Sequence, residues 1–236
     1  MDIKRKNIVV TGAGSGIGRA LVERFFAEGA AHIVSVDINE ANVQETVALF
    51  GGTAMTANVA VEADIKRVIE DSENEMGVID LFCSNAGIGM GPSEQSSNEE
   101  WQMSWDVNVM SHVYAARHLV PRMIERGGGY FLNTASAAGL LNQIGGAAYG
   151  VTKHAAVGFG EWLALTYAHQ GIKVSMLCPQ AVRTAMTADA ETTKAASVDG
   201  MMEPGELAEA VVKGLAAESF LILPHGEVAQ YMRNKT

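Results

Sequence analysis

The chain has 236 residues, of which 48% are hydrophobic and 19% are charged. This is an ordinary globular composition, and the length suffices for one substantial core but is short for two full domains. The formal net charge of −10 argues against partners that are bound through clustered Lys and Arg, such as nucleic acids and anionic membrane surfaces. We therefore predict a single domain over residues 1–236.

Short runs of strand-forming residues alternate with longer segments of helical period. The predicted strands cover Asn7–Thr11, His32–Asp37, Thr53–Thr56, Leu81–Ser84, Tyr130–Thr134, Lys173–Cys178 and Phe220–Leu223. The predicted helices cover Gly18–Glu28, Glu40–Phe50, Glu62–Met76, Glu99–Arg126, Tyr149–Gln170 and Pro204–Ala217. This alternation is typical of right-handed β-α-β units. It predicts an α/β fold, a doubly wound parallel sheet of about seven strands with helices on both faces.

No apolar stretch approaches the roughly 18 residues of a membrane span, and the basic start of the chain is followed by a short apolar run that ends in glycines. We therefore expect a cytoplasmic protein. The two cysteines, Cys83 and Cys178, lie far apart in apolar runs and are expected to be buried free thiols. The six histidines show no metal-ligating spacing, so no metal is predicted.

A glycine cluster follows the first predicted strand in the pattern T-G-x-x-x-G-x-G, with Gly12, Gly16 and Gly18 at the fixed places. Glycine permits a tight turn and lets a pyrophosphate approach the backbone, while free N–H groups at the helix start face the anion. The pattern therefore predicts a Rossmann-like dinucleotide site. Its residues are Gly12, Gly14, Ser15, Gly16, Ile17 and Gly18. The alternative is a glycine turn that binds no ligand.

Asp37 ends the second predicted strand, where a carboxylate can accept hydrogen bonds from the adenosine ribose hydroxyls. It would also repel a 2′-phosphate. Neither Ser15 nor the adjacent Ile38 offers a compensating cation. We therefore predict NAD rather than NADP as the cofactor. The alternative role for Asp37 is the N-cap of the helix that begins near Glu40.

Three residues in the second half, Ser136, Tyr149 and Lys153, can move a proton at an alcohol or carbonyl. Lys153 follows Tyr149 by four residues, which places both on one helix face. We expect its ammonium, aided by an oxidised nicotinamide, to lower the pKa of Tyr149 from its usual value near 10. Ser136 can orient the substrate oxygen by a hydrogen bond. A Tyr–Lys pair at this spacing also occurs on amphipathic helices without any catalytic role.

These motifs, with the run Ser84–Gly87, resemble the short-chain dehydrogenase/reductase family from about residue 5 to residue 223. The resemblance implies a cofactor half over about 1–130 and a catalytic and substrate half over about 131–223. It implies an NAD-dependent oxidoreductase that interconverts a secondary alcohol and a ketone. Tyr149 would be the acid/base, supported by Lys153 and Ser136, and Asn108 would hold a proton-relay water. The further cofactor contacts that it implies are Ile38, Asn58, Val59, Asn85, Ala86, Gly87, Tyr149, Lys153, Pro179, Val182 and Thr184.

The chain departs from the family pattern at three positions. Asn58 stands where Asp is usual, Ser84 where Asn is frequent, and Gln180 where Gly usually follows the proline. Gln180 is expected to narrow the space near the nicotinamide or to reach the substrate. The tail also lacks a glycine-rich ending, so a homodimer is favoured over the homotetramer that the resemblance otherwise implies. Subunits would pack through the two longest predicted helices, although their aromatic residues could simply pack on the sheet.

The substrate pocket is predicted to be lined by Gly139–Gly146, Ile88–Pro92 and a lid over Thr184–Glu203, for which a plain surface loop is the alternative. Its expected side chains are mostly apolar: Met90, Leu140, Leu141, Ile144, Met186, Met201 and Met202. This composition favours an apolar or bulky alcohol or ketone as substrate. Arg183, which directly precedes the lid, is the cation that could meet an anionic group.

Three other functions remain open on the sequence alone. A non-catalytic NAD(H)-binding sensor or scaffold could use the same fold. A methyltransferase also carries a glycine loop after its first strand. A serine hydrolase based on Ser136 is disfavoured, because no G-x-S-x-G pattern surrounds that serine.

Overall fold

The computed structural model describes residues 1–188 and 197–235. In these ranges seven strands form one sheet in the order β3-β2-β1-β4-β5-β6-β7, and every neighbouring pair is parallel. The strands are β1 Asn7–Thr11, β2 His32–Asp37, β3 Thr53–Thr56, β4 Leu81–Ser84, β5 Gly129–Thr134, β6 Ile172–Leu177 and β7 Leu221–Ile222. The strand order reverses between β1 and β4, which opens a crevice at the carboxyl ends of these strands.

Helices connect the strands in the same described ranges. They are α1 Gly16–Ala27, α2 Glu40–Phe50, α3 Glu62–Met76, α4 Asn98–Trp105, α5 Ser111–Glu125, α6 Ala138–Leu141, α7 Ala147–Tyr167, α8 Pro204–Ala216 and α9 Glu227–Asn234. A π-helical turn, Asp106–Met110, joins α4 to α5, and short 3₁₀ turns lie at Ala168–Gln170 and Ala185–Thr187.

The sheet separates two hydrophobic cores, as the predicted doubly wound fold requires. In β1 the side chains of Ile8 and Val10 belong to one core and Val9 belongs to the other. In β4 Phe82 shares the core of Val9, whereas Cys83 shares that of Ile8. Successive strand residues point to opposite faces, so a central strand that is buried on both sides must be apolar throughout. The predicted fold class is confirmed.

The predicted strands agree with the observed ones to within a residue or two at each end. The long helix predicted over Glu99–Arg126 was wrong as one element, because the π turn interrupts it. Helix α1 begins at Gly16, two residues earlier than predicted. The short helix α6 and the C-terminal helix α9 were missed. Apolar periodicity over four or eight residues is too brief to separate a helix from a loop.

The predicted lid Thr184–Glu203 falls partly outside the described residues, because residues 189–196 are not among them. Its described part contains the 3₁₀ turn Ala185–Thr187 and a parallel bridge between Val182 and Met202. Cys83 and Cys178 are buried free thiols, as predicted. Among the helices of residues 1–188 and 197–235, none has the length and apolarity that a membrane crossing requires.

Candidate active site

The glycine loop between β1 and α1 has the shape of an anion cradle. Gly12 has a φ of +67°, which favours glycine. A Cβ on Gly18 would lie 2.0 Å from the carbonyl oxygen of Gly12, so α1 can approach the strand end only without a side chain there. Ser15, at the N-cap of α1, makes no side-chain capping hydrogen bond. The N–H groups of the first turn of α1, which begins at Gly16 and Ile17, can therefore bind a pyrophosphate.

Asp37 lies directly beside this loop. Its Oδ2 accepts the Gly14 N–H at 2.9 Å, and its Oδ1 accepts the Asn39 N–H at 2.9 Å. The N-cap of α2 is Asn39, whose side chain accepts the Asn42 N–H at 3.1 Å. The alternative of Asp37 as the N-cap is therefore wrong. The neighbouring Ile38 side chain is 68% exposed, so it is accessible to a flat ligand group such as a base.

Arg19 is a cation near the loop that the sequence analysis missed. Its guanidinium donates to the Gly14 carbonyl oxygen at 2.7 Å and to Glu45 at 2.7 Å, while Nε donates to Thr46 Oγ1 at 3.0 Å. The sequence offers no signal for these contacts, because both side-chain partners lie on α2. The guanidinium is held by groups of the protein and stabilises the loop.

Asn85 ties together the ends of three strands. Its Nδ2 donates to the Thr11 carbonyl oxygen at 3.0 Å, and its backbone N–H donates to Thr11 Oγ1 at 2.9 Å. Its Oδ1 accepts from Thr134 Oγ1 at 3.2 Å. The N–H of Ala86 also reaches Thr11 Oγ1, at 3.1 Å. These bonds fix the floor of the crevice between β1, β4 and β5.

The remaining predicted cofactor residues lie around the same crevice. Asn58 Oδ1 accepts the Ala60 N–H at 3.0 Å after β3, and Val59 beside it is buried. On the other side, Thr184 comes close to the glycine loop, because a Cβ on Gly16 would lie 3.0 Å from Thr184 Cγ2. Val182 is buried next to this contact. The crevice therefore has walls from both halves of the chain.

Ser136, Tyr149 and Lys153 converge at the edge of this crevice. Lys153 Nζ lies 5.7 Å from the centre of the Tyr149 ring and donates to the Thr134 carbonyl oxygen at 3.1 Å. The Ser136 side chain is close enough to the Tyr149 hydroxyl to influence its pKa. It donates to the Pro179 carbonyl oxygen at 3.4 Å and accepts the Ala138 N–H at 3.1 Å. Helix α7 supplies Tyr149 and Lys153 from successive turns of one face, and the end of β5 supplies Ser136 and Thr134.

Burial shifts the pKa values of Tyr149 and Lys153. It raises the pKa of Tyr149, and the hydrogen bond from Ser136 opposes that rise. Burial also lowers the pKa of Lys153 to about 8. The expected lowering of the Tyr149 pKa is thus not present in the protein alone, because removal of the phenolate from water outweighs its neighbours. A low Tyr149 pKa requires additional positive charge at this site.

Asn108 is fully buried in the π turn, and both ends of its amide are bonded. Its Oδ1 accepts the Ile88 N–H at 3.0 Å, while Nδ2 donates to the Ile88 carbonyl oxygen at 3.0 Å and to Thr152 Oγ1 at 3.1 Å. A Cβ on Gly87 would lie 3.1 Å from Lys153 Nζ and 3.2 Å from Asn108 Oδ1. Asn108, Gly87 and Lys153 therefore meet, and the amide joins the loop after β4 to α7.

A cavity of about 770 Å³ opens beside Ser136 and Tyr149. Its lining is formed by Gly89, Met90, Gly91, Pro92, Ser136, Ala137, Ala138, Leu141, Asn142, Gln143, Ile144, Gly145, Gly146, Tyr149, Gln180, Ala181, Met186 and Thr187. The loop after β4, the segment around α6 and the segment after β6 therefore form the pocket walls, as predicted.

Some side chains predicted for the pocket are elsewhere. Met90, Leu141, Ile144 and Met186 line it, but Leu140, Met201 and Met202 do not. Leu140 and Met202 pack instead against the two cores. Arg183 Nε donates to Glu203 Oε1 at 2.6 Å on the surface, outside the pocket wall. In the described part of the chain, no cluster of three or more His, Cys, Asp or Glu side chains could hold a metal ion.

Comparison with known proteins places these features in a family. The profile of the short chain dehydrogenase family matches residues 6–195. The chain therefore belongs to the short-chain dehydrogenase/reductase family. It is an oxidoreductase of the class that acts on CH–OH groups, built on a Rossmann-like fold.

Two similar proteins act on cyclic alcohols by name. A 2,5-dichloro-2,5-cyclohexadiene-1,4-diol dehydrogenase from Sphingobium indicum is 38% identical over 190 residues, covering 78% of this chain and 76% of the relative. A cyclohexanol dehydrogenase from Acinetobacter sp. is 34% identical over 216 residues, covering 87% of this chain and 86% of the relative.

A solved structure of another protein has the same fold. A short chain dehydrogenase/reductase from Burkholderia phymatum, crystallised in complex with NAD, matches with a TM-score of 0.90 and 27% identity. The match covers 99% of this chain and 93% of the other.

Proposed function

We propose that this protein is an NAD-dependent oxidoreductase that interconverts a secondary alcohol and a ketone. The observation that carries the proposal is the convergence of Ser136, Tyr149 and Lys153 on one wall of a cavity of about 770 Å³. This wall adjoins the crevice that the glycine loop forms. We further propose that residues 1–236 act as one domain that contributes both halves of the site.

In oxidation the phenolate of Tyr149 would take the hydroxyl proton of the substrate and become the phenol, and in reduction the phenol would give that proton back. Ser136 and Tyr149 lie in the wall of the same cavity, where one substrate oxygen can contact both hydroxyls. Lys153 supplies positive charge behind the ring, and Asn108 holds the adjoining loop so that a relay water can pass protons outward. When bound, the nicotinamide accepts or donates the hydride.

The cofactor is proposed to be NAD rather than NADP. The loop fits a pyrophosphate, because a Cβ on Gly18 would occupy the space that the strand end and α1 share. The carboxylate of Asp37 lies 2.9 Å from the Gly14 N–H, at the end of β2 where a ribose is expected. Arg19 is engaged by Glu45 and by backbone oxygen, so it is not placed to offset a 2′-phosphate.

A cyclic secondary alcohol is the proposed substrate. The cavity walls carry Met90, Leu141, Ile144 and Met186, which suit a hydrocarbon ring. The two relatives that are named for cyclohexanol and for a cyclohexadiene diol support this substrate class.

We also propose a cytoplasmic homodimer or homotetramer. Five large apolar side chains on α4 and α7 remain exposed in one chain: Met103 at 48%, Trp105 at 40%, Val151 at 47%, Trp162 at 52% and Leu165 at 84%. The alternative that the aromatic residues pack only on the sheet does not account for this exposure. Exposed apolar groups of this kind are typical of faces that a second subunit covers.

The test is a panel of cyclic and acyclic secondary alcohols and their ketones, followed by NADH absorbance with NADPH in parallel. We expect turnover of cyclic alcohols with NAD and little turnover with NADP. Tight NADH binding with no turnover across the panel would instead favour a non-catalytic sensor. Affinity for S-adenosylmethionine without affinity for NADH would favour a methyltransferase.

A further inference from the structure

Gln180 lies in the cavity wall, and the proposed mechanism gives it no role. It follows Pro179, whose carbonyl oxygen accepts the Ala137 N–H at 2.8 Å next to Ser136. Its side chain lines the same cavity as Tyr149. Its own backbone N–H donates to His225 Nδ1 at 3.2 Å. The side chain is therefore attached at a fixed point beside the reacting end of the cavity.

Asp199 sets the orientation of the Gln180 carboxamide. Gln180 Nε2 donates to Asp199 Oδ2 at 3.0 Å. A carboxylate only accepts hydrogen bonds, so a reversed amide would place two oxygens against each other. Asp199 is itself held by the hydroxyl of Tyr231 on α9, which donates to Oδ1 at 2.9 Å. The C-terminal helix thereby helps to fix which end of the amide is accessible.

This orientation leaves one N–H of Gln180 for a ligand. The amide nitrogen carries two hydrogens, and one of them is used on Asp199. Gln180 Oε1 is buried and has no hydrogen-bond partner within the described ranges, so the accessible polar atom is the nitrogen. An unpaired buried oxygen disfavours the orientation, yet the carboxylate enforces it. Such a fixed donor discriminates between substrates that do and do not carry a matching acceptor.

We propose that Gln180 is a specificity-determining residue that binds a second oxygen atom of the substrate, away from the carbon that is oxidised. Asp199 and Tyr231 are positioning residues for it. The inference rests on the proposed alcohol dehydrogenase function and narrows its substrate class to cyclic diols and hydroxyketones. The apolar side chains of Met90 and Leu141 would contact the ring carbons between the two oxygens.

The measurement is the ratio of kcat/KM for cyclohexane-1,4-diol to kcat/KM for cyclohexanol, with NAD, in the wild type and in Gln180→Leu. Leucine removes the donor and retains much of the side-chain volume. We expect the ratio to fall about tenfold, since a site that bonds a substrate oxygen loses most discrimination with its donor. A ratio that stays within about twofold of the wild type would overturn the inference.

Two matched glutamine variants test whether the fall in the kcat/KM ratio is specific to Gln180. Gln230→Leu alters an exposed glutamine on α9 whose Nε2 donates to Asn234 Oδ1 at 2.9 Å, and it should keep the wild-type ratio. Gln143→Leu alters the other glutamine of the cavity wall. Loss of the diol preference in Gln143→Leu, and not in Gln180→Leu, would contradict the assignment.

Asp199→Ala removes the acceptor of the Gln180 amide and therefore tests the positioning role. We expect a raised KM for the diol with an unchanged kcat and an unchanged melting temperature, because only the orientation of the Gln180 amide is released. Equal losses for diol and cyclohexanol, or a lowered melting temperature, would make Asp199 merely structural. Tyr231→Phe should also raise the KM for the diol, by a smaller factor.

Failure of the proposed function gives a different result. If the wild type oxidises no alcohol in the panel, that function is wrong. The inference is then tested by the binding of cyclohexane-1,4-dione and of cyclohexanone to the protein with NADH, followed by NADH fluorescence. Gln180→Leu should lose the preference for the dione, and an unchanged preference would contradict the inference.

Discussion

The glycine loop and the Tyr149 end of α7 border the same crevice, but they are built from different kinds of interaction. Around the loop, most of the important groups belong to the backbone: glycines that permit close approach and the N–H groups of α1. The one side chain among them is Asp37, whose carboxylate accepts the Gly14 N–H. At α7, they are buried titratable side chains whose pKa values are shifted by burial, Tyr149 and Lys153. The loop is therefore organised by backbone shape, whereas the Tyr149 end of α7 is organised around titratable groups in a poorly solvated environment.

Tyr149→Phe is the sharpest way to separate the two regions. Loss of the proton-transfer group should lower kcat by about 10³-fold, within the usual range for general acid–base catalysis. The NADH dissociation constant should change by no more than about twofold, because the glycine loop is untouched. Steady-state kinetics and NADH fluorescence titration measure the two effects.

Tyr167→Phe is the matched control for this variant. It removes a phenol near the far end of the same helix, where the ring packs edge-on against Trp162. It should retain wild-type turnover. Retention of more than about a tenth of the wild-type kcat in Tyr149→Phe would remove Tyr149 as the acid/base.

Gly18→Ala should damage the loop through shape alone. The new Cβ would lie 2.0 Å from the Gly12 carbonyl oxygen, so α1 must move away from the strand end. Overpacking of this kind costs about 1–3 kcal/mol, which corresponds to roughly a 5- to 150-fold loss of NADH affinity if the strain falls on the site.

The control is Gly158→Ala on α7, where a Cβ would meet nothing within 4 Å. This change should stabilise the protein by up to about 1 kcal/mol, because alanine favours a helix over glycine. Urea unfolding and NADH titration of both variants provide the comparison. Unchanged NADH affinity and stability in Gly18→Ala would contradict the packing described for the loop.

Asp37→Asn probes charge within the region that otherwise depends on shape. The amide oxygen can still accept the Gly14 N–H, so the loop should be retained while the negative charge is lost. We expect the preference for NADH over NADPH to fall about tenfold, equivalent to roughly 1.4 kcal/mol. Binding of both cofactors is measured by fluorescence titration.

Asp71→Asn on the exposed face of α3 is the charge-matched control and should not alter cofactor choice. If Asp37→Asn kept the full NADH preference, the carboxylate would not be the discriminating group.

The last effect is a pH dependence of stability to which Lys153 contributes. Burial lowers the pKa of Lys153 to about 8, so above that pH the unfolded chain binds a proton that the folded chain has lost. The free energy of unfolding should therefore rise with pH from about 8 toward the ordinary lysine value, by at most about 1.4 kcal/mol per pH unit. Urea unfolding at several pH values measures it.

Lys153→Met should remove this contribution, so the difference between wild type and variant isolates it. The wild type alone is not sufficient, because Cys178 titrates in the same pH range. Burial raises the pKa of Cys178 to about 12, so the free energy of unfolding that this thiol contributes falls above the usual thiol pKa. A wild-type minus variant difference that does not change between pH 8 and pH 10 would show that Lys153 is not titrated as described.

The sequence predicted elements best where one physical signal dominates. The buried run of β1 and the period of α3 gave the observed bounds, because continuous burial and an amphipathic face each leave a pattern along the chain. Helix α6 was missed because it has four residues. The π turn was missed because its Asn108 bonds to Ile88 and Thr152, which are distant in sequence.

The alternation of strands and helices predicted the fold class. The spacing of the glycines, of Asp37 and of the Tyr149–Lys153 pair predicted the family and the candidate site, because each depends on local geometry along one strand or one helix. Only the tertiary structure decided the direction of the Tyr149 pKa shift, the engagement of Arg19 and the orientation of Gln180 by Asp199 and Tyr231. Burial and hydrogen-bond partners come from segments far apart in the chain, and no pattern within one segment records them.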